Sequence, residues 1–282
     1  MDLYKAGPLN WLGKLLAQPL SRIACSRVLY TPSRMVDAYL NYILGNGAGA
    51  CSLDLEVRAA VTRIRRAQPV VFDVGANIGC WSRSFLRAMP DARVFIFEPS
   101  AGCRAVIETA PQLAKATLIP CAVGERPGKA TLHFCSATDG TASLHERVDT
   151  VVGNRRYTVA EVEVITLDDV IEREKLDFVD LVKMDVEGHE PFVLRGAQRS
   201  MAARRIGALA FEFGAGNINS RTFFRDLWDV LTPKFSIWRI TPGGRPLFID
   251  EYYEDLEYFR SVSNYIAELR EHPFASTSAV PT

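Results

Sequence analysis

The sequence has no Cys-x-x-Cys pair, no surplus of charge of either sign, no internal repeat and no long uninterrupted apolar run. Each absence removes a class. The six cysteines, Cys25, Cys51, Cys80, Cys103, Cys121 and Cys135, are too scattered for a zinc site or a thioredoxin-type motif. Six in 282 residues do not suggest a disulfide scaffold, so reduced thiols in a cytoplasmic protein are expected. Lysine and arginine number 33, and so do aspartate and glutamate. No overall field draws such a chain to a polyanion, so nucleic acid is not an expected partner. The uncharged stretch 38–53 contains Asn41, Asn46 and three glycines. It falls short of the roughly 20 mostly apolar residues of a spanning helix. Residues 1–30 are broken by Lys14, Pro19 and Arg22 and do not read as a secretory signal.

What remains is ordinary for a folded domain: 48% hydrophobic and 23% charged residues. Two parts are expected before a short tail. Residues 1–66 read as a helical extension in which nine basic residues stand against four acidic ones. Trp11, Leu12, Leu15, Leu16, Leu20 and Ile23 recur at helical spacing. This segment either packs on the main domain or forms a basic amphipathic surface that approaches the inner face of an anionic membrane. It also offers a possible oligomer interface. Residues 67–272 read as the main domain, and 273–282 as a disordered tail.

From residue 69 apolar strand-like runs alternate with helical stretches. Pro69 to Val74, Arg93 to Glu98 and Leu118 to Val123 read as three strands separated by helices over 78–89 and 99–110. Continuous apolar runs suit parallel strands buried on both faces, so the expected class is α/β with a doubly wound sheet. Residues 129–134 and 160–165 alternate in the strand manner and read as an inserted strand pair. The polar loop 138–155 between them, with His133 and His145 nearby, is a candidate lid over an acceptor. Thr166 reads as an N-cap, followed by strands over 178–185 and 207–213, a helix over 221–231 and a final strand pair at 235–240 and 247–249.

Two constellations carry chemistry. Asp73-Val-Gly-Ala-Asn-Ile-Gly79 ends the first strand in a glycine turn, and Glu98 ends the second. A carboxylate there can accept both hydroxyls of a ribose. The spacing Gly75, Asn77, Gly79 lacks the middle glycine of a dinucleotide fingerprint, and Asp73 at its entry would repel a pyrophosphate. The sulfonium and ammonium of S-adenosylmethionine suit the acid better; NAD(P) and a purely structural turn stay open. The second constellation is Lys183-Met-Asp-Val-Glu-Gly-His-Glu190, with Glu212 on the next strand. Either it is a lysine salt bridge with acids at a helix start, or it is catalytic. His189 is then the best single base, because neutral imidazole accepts a proton near pH 7. Asp185, Glu187 and Glu212 are the alternatives, and Lys183 shares the strand face of Asp185. No spacing is diagnostic of a metal.

These two stretches, with Phe97-Glu98-Pro99, Ala122-Val-Gly124, Gly140-Thr-Ala-Ser-Leu144 and Thr166-Leu-Asp-Asp169, resemble the FkbM-type methyltransferases in order over about residues 69–214. The resemblance implies a class I methyltransferase with a Rossmann-like, mostly parallel seven-stranded sheet. It implies S-adenosylmethionine as cofactor and O-methylation of a sugar, glycolipid or polyketide-type hydroxyl. It puts Asp73, Gly75, Asn77 and Gly79 at the methionine end, Glu98 at the ribose and Ala122 and Val123 at the adenine, with Ala76 and Pro99 as further cofactor-binding candidates; Asp185, at its strand tip beside the first turn, would lie close to the methyl donor. A non-catalytic adenosylmethionine-binding module is the alternative; the acids of the fourth strand argue for an enzyme.

Overall fold

The computed structural model describes residues 15–16, 19–23, 26–49, 53–147 and 157–271. Trp11, Leu12, the later part of the expected lid and the expected tail lie outside the described residues.

The strands run β1 Val70–Val74, β2 Arg93–Phe97, β3 Thr117–Ile119, β4 Ala122–Val123, β5 Gly128–Phe134, β6 Thr158–Ile165, β7 Val179–Met184, β8 Ile206–Gly214, β9 Phe235–Arg239, β10 Leu247–Ile249 and β11 Val262–Leu269. Eight of them form one sheet in the order β10-β9-β11-β8-β7-β1-β2-β3, and the other three form a small sheet in the order β4-β6-β5. Neighbours from β8 to β3 are parallel, and those from β8 to β10 are antiparallel. The order reverses at β1, with β2 on one side and β7 on the other. In open α/β sheets ligands bind at the carboxyl ends of strands at such a point.

The doubly wound α/β reading holds, with helices on both faces. On one face Phe72, Phe95, Val182 and Leu209 pack with Leu167, Leu194 and Leu227 of the helices Leu167–Arg173, Glu190–Arg195 and Phe224–Leu231. On the other, Val71, Ile96 and Leu181 pack with Val57 and Phe85 of the helices Leu53–Val61 and Cys80–Ala88. Thr166 caps its helix as expected, its hydroxyl accepting the Asp169 N–H at 3.0 Å.

Two expectations change. The third strand is not continuous over 118–123. Pro120 has no N–H to donate, the ladder stops at Ile119, and Ala122–Val123 pairs with β6 in the small sheet. The main sheet also has eight strands rather than seven, because Val262–Leu269 was not read as a strand. Its Ser263 and Asn264 break the apolar pattern, yet both are buried. The chain preceding the sheet meets them: the Gly47 N–H donates to Ser263 Oγ at 3.0 Å, and Asn264 Nδ2 donates to the Gly49 carbonyl at 3.3 Å.

Candidate active site

The turn after β1 is shaped by contact with the turn after β7. Gly75 has φ +79°, and a Cβ there would run into the Asp185 carbonyl oxygen. Asn77 takes φ +50°, a conformation asparagine tolerates better than most residues. It ties the site together: its N–H donates to Glu98 Oε2 at 2.7 Å and its amide donates to the Asp139 carbonyl at 3.0 Å. The second Glu98 oxygen accepts the Ser100 N–H at 2.7 Å. Glu98 is thus locked at the tip of β2, with lone pairs left on both oxygens. Burial pushes its carboxyl up to about 7 although these two N–H groups favour the anion.

A cleft of about 620 Å³, counting the solvent space at its mouth, opens beside these turns. Gly75, Asn77, Glu98, Pro99, Ala122, Val123, Asp185, Glu187 and His189 line it. Asp73, Ala76, Gly79, Lys183 and Glu212 do not. Asp73 lies buried behind its own turn, where its carboxylate accepts the Ser82 hydroxyl at 2.5 Å, and burial holds it up at about 6.

Lys183 is also buried, 3.1 Å from Glu56 Oε1 and 3.4 Å from Asp185 Oδ2. Burial pushes its ammonium down, but Asp185, Glu56, Glu212 and Asp73 outweigh that and hold it well above its ordinary range. One buried cation thus serves a group of acids. Burial, with Asp185 adding to it, drives Glu212 well up. Lys183 therefore fixes Asp185 at the cleft edge rather than meeting a substrate. Glu56, on the helix Leu53–Val61, escaped the sequence reading. Its one signal was an acid flanked by Leu55 and Val57.

Glu187 stands at φ +52°, a strained position of the kind found at functional sites. Arg147 Nη1 donates to its Oε2 at 3.1 Å, yet burial, with Asp185 adding to it, pushes its carboxyl up to about 7. His189 Nδ1 lies 2.9 Å from His145 Nε2, and its ring stacks on Phe192 with centroids 4.6 Å apart. Burial, with His145 adding to it, drives His189 down to about 3, so it is neutral at pH 7.

The described part of the expected lid roofs the cleft. Asp139 holds its own turn, accepting the Cys135 N–H at 2.7 Å and the Thr141 N–H at 2.9 Å. Ser143 Oγ donates to the Glu187 carbonyl at 3.1 Å. Asp139, Ser143, Leu144 and Arg147 were not singled out as site residues. Gly140 to Leu144 stood out only as a motif, and nothing local ties a polar loop to a strand tip 40 residues on.

The cleft has two chemical ends. Cys121, Ala122, Val123, Leu132 and Leu144 make one side apolar, while Glu98, Asp139, Asp185 and Glu187 supply carboxylates. No lysine or arginine is among its described lining residues. S-adenosylmethionine, with a flat base, a ribose and an end that carries a sulfonium and an ammonium beside its carboxylate, fits that donor set; a pyrophosphate would meet acids with no lysine or arginine among the described lining residues. Among the described residues no cluster of His, Cys, Asp and Glu is placed to hold a metal ion.

A profile of the Methyltransferase FkbM domain matches residues 73–235, more than half of the chain. The chain belongs to the FkbM methyltransferase family. The match covers both turns of the cleft, the strands from the end of β1 through β8, and the roof. Among FkbM-family and other methyltransferases, the chain is 29% identical to the 2-O-methyltransferase NoeI of Sinorhizobium fredii, over 53% of this chain and 65% of that protein. It is 27% identical to the methyltransferase sdnD of Sordaria araneosa, over 46% of this chain and 61% of that protein. It thus spans less than two thirds of the length of either relative. A solved methyltransferase FkbM from Methylobacillus flagellatus KT aligns at 18% identity and a TM-score of 0.45, over 72% of this chain and 44% of that one.

Proposed function

We propose that this chain transfers a methyl group from S-adenosylmethionine to a hydroxyl oxygen of a sugar, glycolipid or polyketide-type acceptor. The observation that carries the reading is the cleft itself: Glu98, Asp185 and Glu187 at the carboxyl ends of β2 and β7, Asp139 in the roof and an apolar wall opposite, without a lysine or arginine among the described lining residues. Within this reading, Glu98 accepts the ribose hydroxyls, Ala122 and Val123 border the base, and Gly75 and Asn77 line the amino-acid end. The bound group supplies an electrophilic methyl on a positively charged sulfur.

The chain's own residues then have three tasks. They align the acceptor oxygen with that methyl, and positioning of this kind supplies roughly 7–11 kcal/mol of a barrier. The roof over 139–144 excludes water from the cleft. A base takes the hydroxyl proton, most effectively when its pKa lies near the working pH. Glu187, held at about 7, meets that condition. His189, at about 3, accepts a proton poorly and is already bonded to His145. We therefore assign the proton to Glu187 Oε1 or Oε2 and give the two histidines the orientation of the acceptor.

Calorimetric titration with S-adenosylmethionine, S-adenosylhomocysteine and NAD tests the cofactor, and radiolabelled methyl transfer to a panel of glycans, glycolipids and hydroxylated metabolites tests the reaction. Binding of both sulfur compounds without NAD is expected. Capture of NAD alone would overturn the reading, and cofactor binding without transfer to any hydroxyl would leave a binding module instead. His189→Ala is expected to slow turnover by about tenfold, less than a change at the base, with cofactor affinity kept.

The buried acids also set a pH dependence of stability. Burial holds Glu190 up at about 8, with Oε1 accepting the Val186 N–H at 3.1 Å. Between its unfolded and folded values the native state binds a proton that the unfolded chain does not, so stability falls as pH rises through that window. Glu98, Glu187 and Asp73 act in the same sense. His189 acts oppositely below its unfolded value of about 6.5. The acids outnumber it, so the thermal midpoint is expected to be at least about 3 °C higher near pH 5.5 than near pH 8. Glu190→Gln flattens that slope. Identical melting curves across the range would refute the buried-acid account.

A further inference from the structure

The helix Arg27–Ile43 is inside out. Val28, Met35, Val36, Tyr39, Leu40 and Ile43 fall on one side at helical spacing, and all six are exposed, Val28 to 80%, Met35 to 67% and Tyr39 to 65%. The opposite side carries Arg34, Asp37 and Asn41. That polar side is the one bound to the domain. Asp37 pairs with Arg260, and Asn41 Nδ2 donates to Asp37 Oδ1 at 2.9 Å. An amphipathic helix that serves its own core buries the apolar stripe; this one presents it outward.

The helix is also held in place. Just past its C-terminus, Asn46 Nδ2 donates to the Tyr258 carbonyl at 2.7 Å, and the Gly49 N–H donates to the Val262 carbonyl at 2.8 Å. Val262 pairs with Gly214 at the carboxyl end of β8, so the anchor lies on the rim of the sheet where the cleft opens. Further exposed apolar groups stand on that rim: Tyr258 at the anchor, and Ile218 and Phe223 beyond the Gly216 backbone, which packs against Gly188 in the turn that carries Glu187.

We infer that this outward face of the helix Arg27–Ile43 binds the surface of an anionic lipid bilayer, with the cleft rim facing the same surface. Charge selects this occupant over a second copy of the chain. Residues 1–49 carry five basic and two acidic side chains, and one of those acids, Asp37, is engaged by Arg260. Two such segments face to face repel each other, whereas anionic headgroups attract them. A large apolar stripe flanked by arginine and tyrosine is the pattern of a helix that lies in the interface plane. Among the described residues no helix is long and apolar enough to cross a membrane, so contact along the surface is the mode available to this helix. The inference goes beyond the transfer reading, and vesicle binding is measured without turnover, so either can fail alone.

The test is flotation of the full chain with vesicles of phosphatidylcholine and phosphatidylglycerol in equal parts, and with vesicles of phosphatidylcholine alone. Capture by the anionic vesicles, weakened by salt, is expected. The variant Met35→Ser, Val36→Ser, Tyr39→Ser removes only exposed side chains and should keep its melting temperature and its affinity for S-adenosylhomocysteine, yet lose about tenfold or more in capture. Wild-type protein left behind by anionic vesicles would overturn the proposal, as would equal capture of wild type and variant. A dimer in sedimentation velocity that the serine variant dissociates, with no vesicle capture, would assign the face to a second copy.

Discussion

Replacing Glu98 with alanine is expected to weaken S-adenosylhomocysteine binding by about 100-fold or more. Hydrogen bonds to a charged acceptor contribute about 1.5–3 kcal/mol each, and roughly 1.4 kcal/mol is a factor of ten. Losing two ribose contacts therefore suffices. The variant also frees the N–H groups of Asn77 and Ser100, which now converge on the two Glu98 oxygens at 2.7 Å. Calorimetric titration reads the effect, with a melting curve to show that the sheet is intact. Glu98 carries a second, linked expectation. In the free protein its carboxyl is held up at about 7. Hydroxyl donors favour the ionised form, so binding releases a proton near that pH and affinity falls as the pH drops below about 7. Unchanged affinity in the alanine variant, in a folded protein, would remove Glu98 from the site.

Glu187→Gln is expected to lower kcat by about 10²–10⁴-fold while cofactor affinity stays within a few-fold of wild type. The amide keeps the size of the side chain and can still accept from Arg147, but it cannot take a proton. The pH profile separates a base from a merely structural acid. The rate of the wild type should rise with pH through a value near 7, where the Glu187 carboxyl loses its proton. Arg147, 3.1 Å away, favours the anion. Arg147→Ala should therefore move that limb of the profile to higher pH, because the carboxyl is left with burial and the nearby Asp185 and Asp139, all of which disfavour the anion. Near-normal turnover in Glu187→Gln would pass the base role to Asp185, whose side chain stands at the cleft edge 3.4 Å from Lys183.

The cluster around Lys183 shows why the chemistry of this site is spread over so much chain. The family match begins at residue 73, but one of the two carboxylates that pair with Lys183 is Glu56. The helix that brings it packs Val57 and Ala60 against Val71, Leu181 and Phe85. The segment before the sheet thus contributes to the electrostatics of the active site as well as to the covering of one face of the sheet.

The sequence by itself determined the local features. Mostly apolar runs at 69–74, 93–98, 178–185 and 207–213, alternating with helical stretches, read as strands buried on both faces, so the order of these strands and helices was legible. The turn Gly75 to Gly79, the acid at 98 and the cap at Thr166 were legible too, because each depends on neighbours a few residues away. Only the tertiary structure decided what depends on distant groups. It turned Asp73 away from the cleft, toward Ser82 and Lys183. It split the expected third strand at Pro120 and made a central strand of Val262–Leu269, whose polar Ser263 and Asn264 are tolerated because residues 46–49 meet them. It drove His189 down to about 3 and Glu187 up to about 7, which is why the proposed reading gives the base role to a carboxylate rather than the imidazole. The reason is common to all of these. A hydrophobic pattern and a turn are short-range properties, whereas the proton affinity and direction of a side chain are set by burial and by charges that the fold brings from anywhere along the chain.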